Sequence, residues 1–563
     1  MLTKRIICLF LAIALLVCLG CEKAPAATPV PEGTAAPTPI PTPVPTPTPA
    51  PIAILPEAAG FSQDAYRVFY EIYVGAYCDS NGDGIGDLKG LLSRLDHIND
   101  GDPNSAVSLG AEGIWLMPIC PSPTYHKYDV TDYCEIDPQY GTLQDFDALA
   151  AACEERGIAL ILDLVVNHTS SDHPWFKSAC KSLRTPSCGQ EVCTEADLCI
   201  DHNPYIDYYN FTQEPEAGGY YVVPGAAPWH YECRFVNTMP DLNLNSEKVR
   251  EEIAAIAKFW LDRGAAGFRL DAVTSYYTGN VTRSTEFMAW FMDTCKAIKE
   301  DVYVVGEAWT DGGSILRYYE SGITSLFNFP FSQSDGDIIG AVRGKQGAKL
   351  AAAIESWNRE LSENHPHAVD APFLTNHDNA RSAGALVGKA ELMKLAAATY
   401  LLMPGTPFIY YGEEIAMQGS GRDENKRTPM VWSLSDNTGQ ALPPSGADDV
   451  REVKAGVAEQ AADSASLLNY YIAALRLRRA HPALAKGVVT ALDAGSSAVC
   501  AYASETKDVR LVVLHNYGVE EVAVPLSALN AGELSGALAA MEALPFIDGN
   551  SLILPAGATA IMR

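Results

Sequence analysis

Four short acidic segments stand in a fixed order along the chain: DLVVNH at 163–168, GFRLDA at 267–272, GEAW at 306–309 and TNHDNAR at 375–381. Each comes at the end of, or just after, a β-branched or apolar run. Each therefore reads as a strand end that carries polar groups into solvent. A closed barrel of eight parallel strands alternating with helices collects functional residues in this way, from several strand ends at one face. The rest of the chain repeats that alternation. Strands are predicted at 67–74, 113–119, 158–166, 267–270, 302–306, 325–329, 371–375 and 407–411, with helices such as 247–263 and 466–482.

The polar residues of these segments form a chemical set. Side chains alternate along a strand, so Arg269 and Asp271 point the same way. A guanidinium beside a carboxylate favours its charged form, which suits a nucleophile. Glu307 follows the apolar run 302–305 and precedes Trp309, and apolar or aromatic surroundings favour a protonated carboxyl, which suits a general acid. Asp378 lies beside His377, where its charge can favour an oxocarbenium-like transition state. A lone Asp or Glu after a strand is usually a helix cap or a solvated loop charge. The joint pattern overrides that reading for Asp271, Glu307 and Asp378. For Asp163 and Asn167 it does not: they either brace Arg269 and the loop backbone or meet a ligand.

In this order, and with their flanking segments, the four motifs resemble the α-amylase family of glycoside hydrolases (family 13) over about 68–482. The resemblance implies a (β/α)₈ TIM barrel over 61–168 and 241–485. It also implies an inserted domain B over 169–240 after the third strand, closed by MPDLN at 239–243, and a C-terminal antiparallel β-sandwich over 486–563. It assigns Asp271 as nucleophile, Glu307 as acid/base and Asp378 as transition-state stabiliser of a retaining hydrolase. Tyr128, Asp129, His168, Arg269, His377, Arg381 and Arg427 match residues that line the sugar site.

The segment DSNGDGIGD at 79–87 sets oxygen donors at alternate positions, Asp79, Asn81, Asp83 and Asp87 with the Ile85 carbonyl between. This is the opening of a calcium loop, although position twelve is Gly90 rather than the Glu of a complete EF-hand. Family members that cleave oligosaccharides bind structural Ca²⁺ in the corresponding loop; Mg²⁺ or a merely hydrogen-bonded Asp-Gly turn is the alternative.

Specificity follows from smaller signals. In the family, the residue after the nucleophile tends to be Val in α-1,6-selective enzymes and smaller in α-1,4-selective ones. Here it is Ala272, and MPDLN points the same way. The expected substrate is an α-1,4-glucan or malto-oligosaccharide. Thr274-Ser275 replaces the Lys-His pair of many endo-acting amylases. A transglycosylase of the same fold, an α-glucosidase (including one of α-1,6 specificity) and a non-catalytic sugar-binding surface protein are the alternatives.

The N-terminus supplies an address. Lys4 and Arg5 precede an apolar run at 6–19, which reads as a signal peptide over 1–20. Cys18-Leu19-Gly20-Cys21 resembles a lipobox, making Cys21 the lipidated first residue, with free secretion as the rival. A Pro/Thr-rich spacer follows over 21–60, where Thr-Pro alternation forms neither helix nor sheet. At ~3.1 Å per residue, about thirty such residues reach on the order of 90 Å, enough to hold an enzyme away from the outer face of a bacterial membrane. Lys+Arg 40 against Asp+Glu 69 gives a net charge of −29, which excludes nucleic acid as a partner. A monomer is expected.

Five cysteines fall within domain B: Cys180, Cys188, Cys193, Cys199 and Cys233. In an exported protein they are disulfide candidates first. Zinc is the rival, with spacings that match no standard pair-of-pairs site.

Overall fold

The computed structural model describes residues 52–563 apart from 194–197, 216–217 and 542. The expected signal peptide, Cys21 and the spacer as far as 51 lie outside the described residues; its end, 52–60, is described, and there Ala53–Ile54 forms a strand instead of spacer. No helix among the described residues is long and apolar enough to cross a membrane.

Eight parallel strands make the barrel: β1 (Phe69–Ile72), β2 (Gly113–Leu116), β3 (Ala159–Leu164), β4 (Gly267–Leu270), β5 (Tyr303–Gly306), β6 (Ser325–Phe327), β7 (Val369–Ala371) and β8 (Phe408–Tyr410). They pair in sequence order from β1 to β7, and β8 returns to β1 through Phe408 against Phe69. A single bridge between Phe373 and Phe408 nearly closes the ring.

Strand period decides what fills the barrel. Phe69, Trp115, Ile161, Tyr303, Val305, Phe327 and Phe408 form one buried interior cluster, in which the Phe69 ring stacks on Tyr303 and Phe408 at 4.9 Å. Two residues further along the same inward face come Glu71 on β1 and Asp163 on β3; Arg269 on β4 is paired in register with Asp163 and Val305. The interior is thus apolar at its base and charged at its C-terminal mouth.

The seventh strand lies at Val369–Ala371, upstream of the expected 371–375. Pairing with β6 stops at Ala371, and beyond it only the Phe408 N–H to Pro372 O bond and the Phe373–Phe408 bridge reach β8, where Pro372 has no N–H to give. TNHDNAR consequently begins in a loop beyond the strand rather than at its end.

Domain B leaves the barrel at His168 and comes back beside it, where His168 bridges Asp241 and the Leu242 N–H bonds Asn167 O at 2.9 Å. Between them stand the helix Pro174–Ser182 and a three-stranded antiparallel sheet of Phe211–Thr212, His230–Glu232 and Tyr220–Val222. After the helix Leu467–Ala480, a six-stranded and a three-stranded antiparallel sheet enclose a core that includes Val512, Leu514, Val524, Leu552 and Leu554. Ala53–Ile54 adds the edge strand of the larger sheet by pairing with Leu538 and Ala537. None of the described cysteines is in a disulfide.

Candidate active site

Arg269 is the hub of the charged mouth. Its Nη1 donates to Asp271 Oδ1 at 2.7 Å and to the two oxygens of Asp163 at 2.9 and 3.0 Å. Its Nη2 lies 3.0 Å from Glu307 Oε2 without an aligned N–H bond. The guanidinium also sits over the Trp115 ring, 5.1 Å from the centroid. A fully buried cation is tolerable because three carboxyl groups surround it.

Glu307 follows β5, and its Oε2 accepts the backbone N–H of Ala272 at 3.0 Å. Ala272 holds φ at 46°, a left-handed conformation in which a β-branched residue is strained. Burial pushes the Glu307 carboxyl up to about 7, with Arg269 opposing and Asp271 and Asp378 reinforcing. Trp309, two residues on, is itself 47% exposed and stacks on Phe329 at 5.0 Å.

Asp378 accepts from Arg427 Nη2 at 2.7 Å and lies 3.2 Å from His377 Nε2. Burial alone raises its pKa, but His377 and Arg427 outweigh burial and hold the carboxyl well below the usual range. With 29% of its side chain exposed, it opens onto solvent more than Asp271 or Glu307 does. His377 is clamped at both nitrogens, Nδ1 2.6 Å from Glu71 Oε1 and Nε2 2.7 Å from the Tyr128 hydroxyl. Burial disfavours its charge, yet Asp378 and Glu71 prevail and push it up to about 9. The Tyr128 hydroxyl passes the chain on by donating to Asp163 at 2.9 Å. His168 lies 3.2 Å from the Tyr128 carbonyl through Nε2 and packs on Phe235, with burial lowering its pKa.

The structure therefore gathers Asp271, Glu307, Asp378, Arg269, His377, Tyr128, His168 and Arg427 at one mouth. Two of the residues expected to contact sugar are held by protein atoms. Arg381 donates to Lys426 O at 2.8 Å and to Tyr411 O at 2.7 Å while stacking on Tyr410, so it fixes the segment that delivers Arg427. Asp129 accepts from Ser122 at 2.6 Å and from Thr124, shaping the loop that presents Tyr128. Asp163 braces Arg269, and Asn167 bonds Asp241 at 3.2 Å at the seam of domain B. Glu71 escaped the sequence reading. The signal available was a lone carboxylate inside the apolar run VFYEIYV at 68–74. Ser275 lines a pocket of about 370 Å³ with Asn245, Tyr277 and Arg283, beside the domain B seam.

The loop at 79–87 folds on its own amides. Asp79 accepts from Asn81, Gly82 and Gly84 at 3.0, 2.7 and 2.7 Å, Asp83 accepts from Ile85 at 2.8 Å, and Asp87 caps the next helix through Gly90 at 2.8 Å. Gly82 and Gly84 take φ of 84° and 92°, which this tight path requires. Three carboxylates with no Lys or Arg in the segment suit a hard cation. The amide bonds leave acceptor lone pairs on the carboxylate oxygens.

Residues 71–487 match the family described as alpha amylase, catalytic domain. The chain belongs to the α-amylase family. Alpha-amylase 3 of Dictyoglomus thermophilum is 36% identical over 83% of this chain and 88% of its own length. An oligo-1,6-glucosidase of Parageobacillus thermoglucosidasius is 28% identical over 80% of this chain and 89% of its own. Among solved structures, Amy13B of Eubacterium rectale superposes with a TM-score of 0.83 at 41% identity, covering 90% of this chain and 97% of that one. With its carboxylate pair intact at the barrel mouth, this α-amylase family member is a glycoside hydrolase.

Proposed function

We propose that the protein is an extracellular retaining hydrolase that cleaves α-1,4-glucosidic bonds of starch-derived glucans and malto-oligosaccharides. The observation that carries this reading is the bracketing of one guanidinium by two carboxyl groups, Asp271 on Nη1 and Glu307 on Nη2. Asp271 attacks the anomeric carbon as the glycosidic C–O bond breaks, and Glu307 gives its proton to the departing oxygen. A water then enters: Glu307 takes its proton, its oxygen bonds the anomeric carbon, and Asp271 leaves. Asp378 binds sugar hydroxyls and adds negative charge where the oxocarbenium-like transition state is positive.

Ala272 beside the nucleophile supports α-1,4 selectivity, as does MPDLN at the end of domain B. The 79–87 loop holds a structural Ca²⁺ through Asp79, Asn81, Asp83, Asp87 and the Ile85 carbonyl, apart from the chemistry. The chain is a monomer, tethered by lipidated Cys21 to the outer face of a bacterial cytoplasmic membrane, with the spacer extending it through the wall.

Product mapping on maltoheptaose, starch, pullulan, isomaltose and trehalose tests linkage and mode together. Glucose and short maltodextrins from maltoheptaose and starch support the reading. Release of glucose from isomaltose with maltoheptaose untouched overturns the linkage, and products longer than the substrate reveal transglycosylation.

A further inference from the structure

Four potential metal ligands converge in domain B, on a segment the reaction does not use. Cys188, Cys193, Cys199 and His202 bring their ligand atoms within 4.8 Å of one another. Cys188 Sγ lies 3.5 Å from Cys199 Sγ, and His202 Nδ1 lies 3.2 Å from Cys199 Sγ and 3.5 Å from Cys188 Sγ. In a tetrahedral zinc site, bonds of ~2.3 Å to sulfur and ~2.0 Å to nitrogen put neighbouring ligand atoms roughly 3.5–3.8 Å apart. The observed separations fall close to that edge length. They are far outside the ~2.05 Å of a disulfide.

The histidine is oriented for the task. Its Nδ1 faces the sulfurs, while Nε2 lies 3.3 Å from the Glu191 carbonyl. A proton held on Nε2 by that carbonyl leaves the Nδ1 lone pair free, which is the outer-shell arrangement seen around metal-bound imidazoles. The chain is shaped to match. Gly189, at φ 59°, turns it directly after Cys188, and the His202 N–H bonds Cys199 O at 3.1 Å, closing the short Cys199–His202 turn.

The segment also needs an organiser. The described residues between the helix Pro174–Ser182 and the short helix Pro204–Tyr208 contain no helix or strand. Leu183 and Ile200 pack on the core, and two side chains tie the rest: Ser182 donates to Leu198 O at 2.5 Å, and Asn203 donates to Ser178 O at 3.1 Å. Cys199 is fully buried at the centre of the four ligands' stretch of chain.

We propose that Cys188, Cys193, Cys199 and His202 form a structural tetrahedral site for Zn²⁺ that fastens this segment of domain B. Three thiolates and an imidazole select a borderline-soft ion and disfavour Ca²⁺, whose place is the all-oxygen loop at 79–87. Binding releases the three thiol protons to solvent, so loading weakens as pH falls. The spacing C-x₄-C-x₅-C-x₂-H has no paired-knuckle pattern, which is why sequence alone ranked disulfides first.

The test uses the full chain purified under mild reduction. Elemental analysis should find zinc at one equivalent per chain, released by a mercurial thiol reagent. After exchange, Co²⁺ should give thiolate charge-transfer and intense tetrahedral d–d bands that saturate at one equivalent. Cys193→Ser and His202→Ala should each lose these bands, and zinc loss should open the 183–203 segment to limited proteolysis. Because a variant could misfold, the wild-type chain decides: octahedral Co²⁺ spectra, no thiol-releasable zinc, or a native peptide map linking Cys188 to Cys199 by a disulfide would each overturn the proposal.

Discussion

Glu71 Oε1 lies 2.6 Å from His377 Nδ1, so an acid on the first barrel strand fixes a histidine on the loop after the seventh. Through His377 that contact reaches both Asp378 and the Tyr128 hydroxyl. Glu71→Gln keeps the shape and removes the charge. Hydrogen bonds to charged groups contribute about 1.5–3 kcal/mol, so kcat/KM is expected to fall roughly ten- to hundredfold. Glu71 is a positioning residue, and its signature is a lowered His377 pKa, read by the imidazole proton shifts in NMR. An unchanged His377 titration contradicts the role.

Glu307 must hold its proton to act as the acid, and its carboxyl is pushed up to about 7. The proton is present below that pH and lost above it, so kcat/KM is expected to decline as pH rises through about 7. Glu307→Gln should remove this limb and cost about 10²–10⁴-fold on maltoheptaose. Aryl maltosides, whose leaving group needs little protonation, should lose much less. Equal loss on both substrates would argue against the acid role.

Stability carries a related pH dependence. Asp163, Glu307 and His377 are raised to about 6, 7 and 9, above their ordinary values. Each contributes stability that is fully present below its unfolded pKa and is lost as pH rises through its folded one. Asp378 works in the opposite sense, but its depressed pKa places that change at low pH. From these three groups the melting temperature is therefore expected to fall from about pH 4 to pH 9, with His377 carrying the loss above pH 7. Differential scanning calorimetry across that window checks the sign.

Arg269→Met removes the cation that three carboxyl groups share. Breaking a buried pair from one side costs about 3–5 kcal/mol, a loss readable from urea melts. A variant as stable as wild type would mean the carboxylates relax without their hub.

Trp309 offers a half-exposed ring, stacked on Phe329, two residues from Glu307. Trp309→Ala is expected to raise KM for maltoheptaose roughly two- to tenfold, as loss of an aromatic contact of about 0.5–1.5 kcal/mol implies. It should leave turnover of a short aryl maltoside nearly unchanged. An equal effect on both substrates would assign the ring to packing.

The barrel was legible because β-strands reveal themselves by apolar runs, and because Asp271 and Glu307 follow such runs directly. Arg269 and Asp271 could be placed on one face from strand period alone, whereas Glu307 joined them only through the order of the motifs. The seventh strand was set too late because Phe373 and Leu374 extend the apolar run past Ala371, where pairing with β6 stops. Arg381 reads like a sugar ligand within TNHDNAR. Only the fold reveals the backbone carbonyls of Tyr411 and Lys426 that occupy it. Glu71 was hidden for the converse reason, since a single carboxylate in a strand shows no partner until β1 and the loop after β7 meet. The domain B cysteines show the same limit, because convergence of four ligands depends on turns that spacing does not encode.

In a retaining reaction Asp271 becomes covalently joined to the sugar. Incubation with a fluorinated maltosyl fluoride that forms the glycosyl-enzyme quickly and hydrolyses it slowly, followed by peptide mass spectrometry, tests this directly. A single glycosylated peptide is expected, with the sugar on Asp271. Label on another carboxylate, or an unlabelled enzyme that turns maltosides over with inverted anomeric configuration, would contradict it.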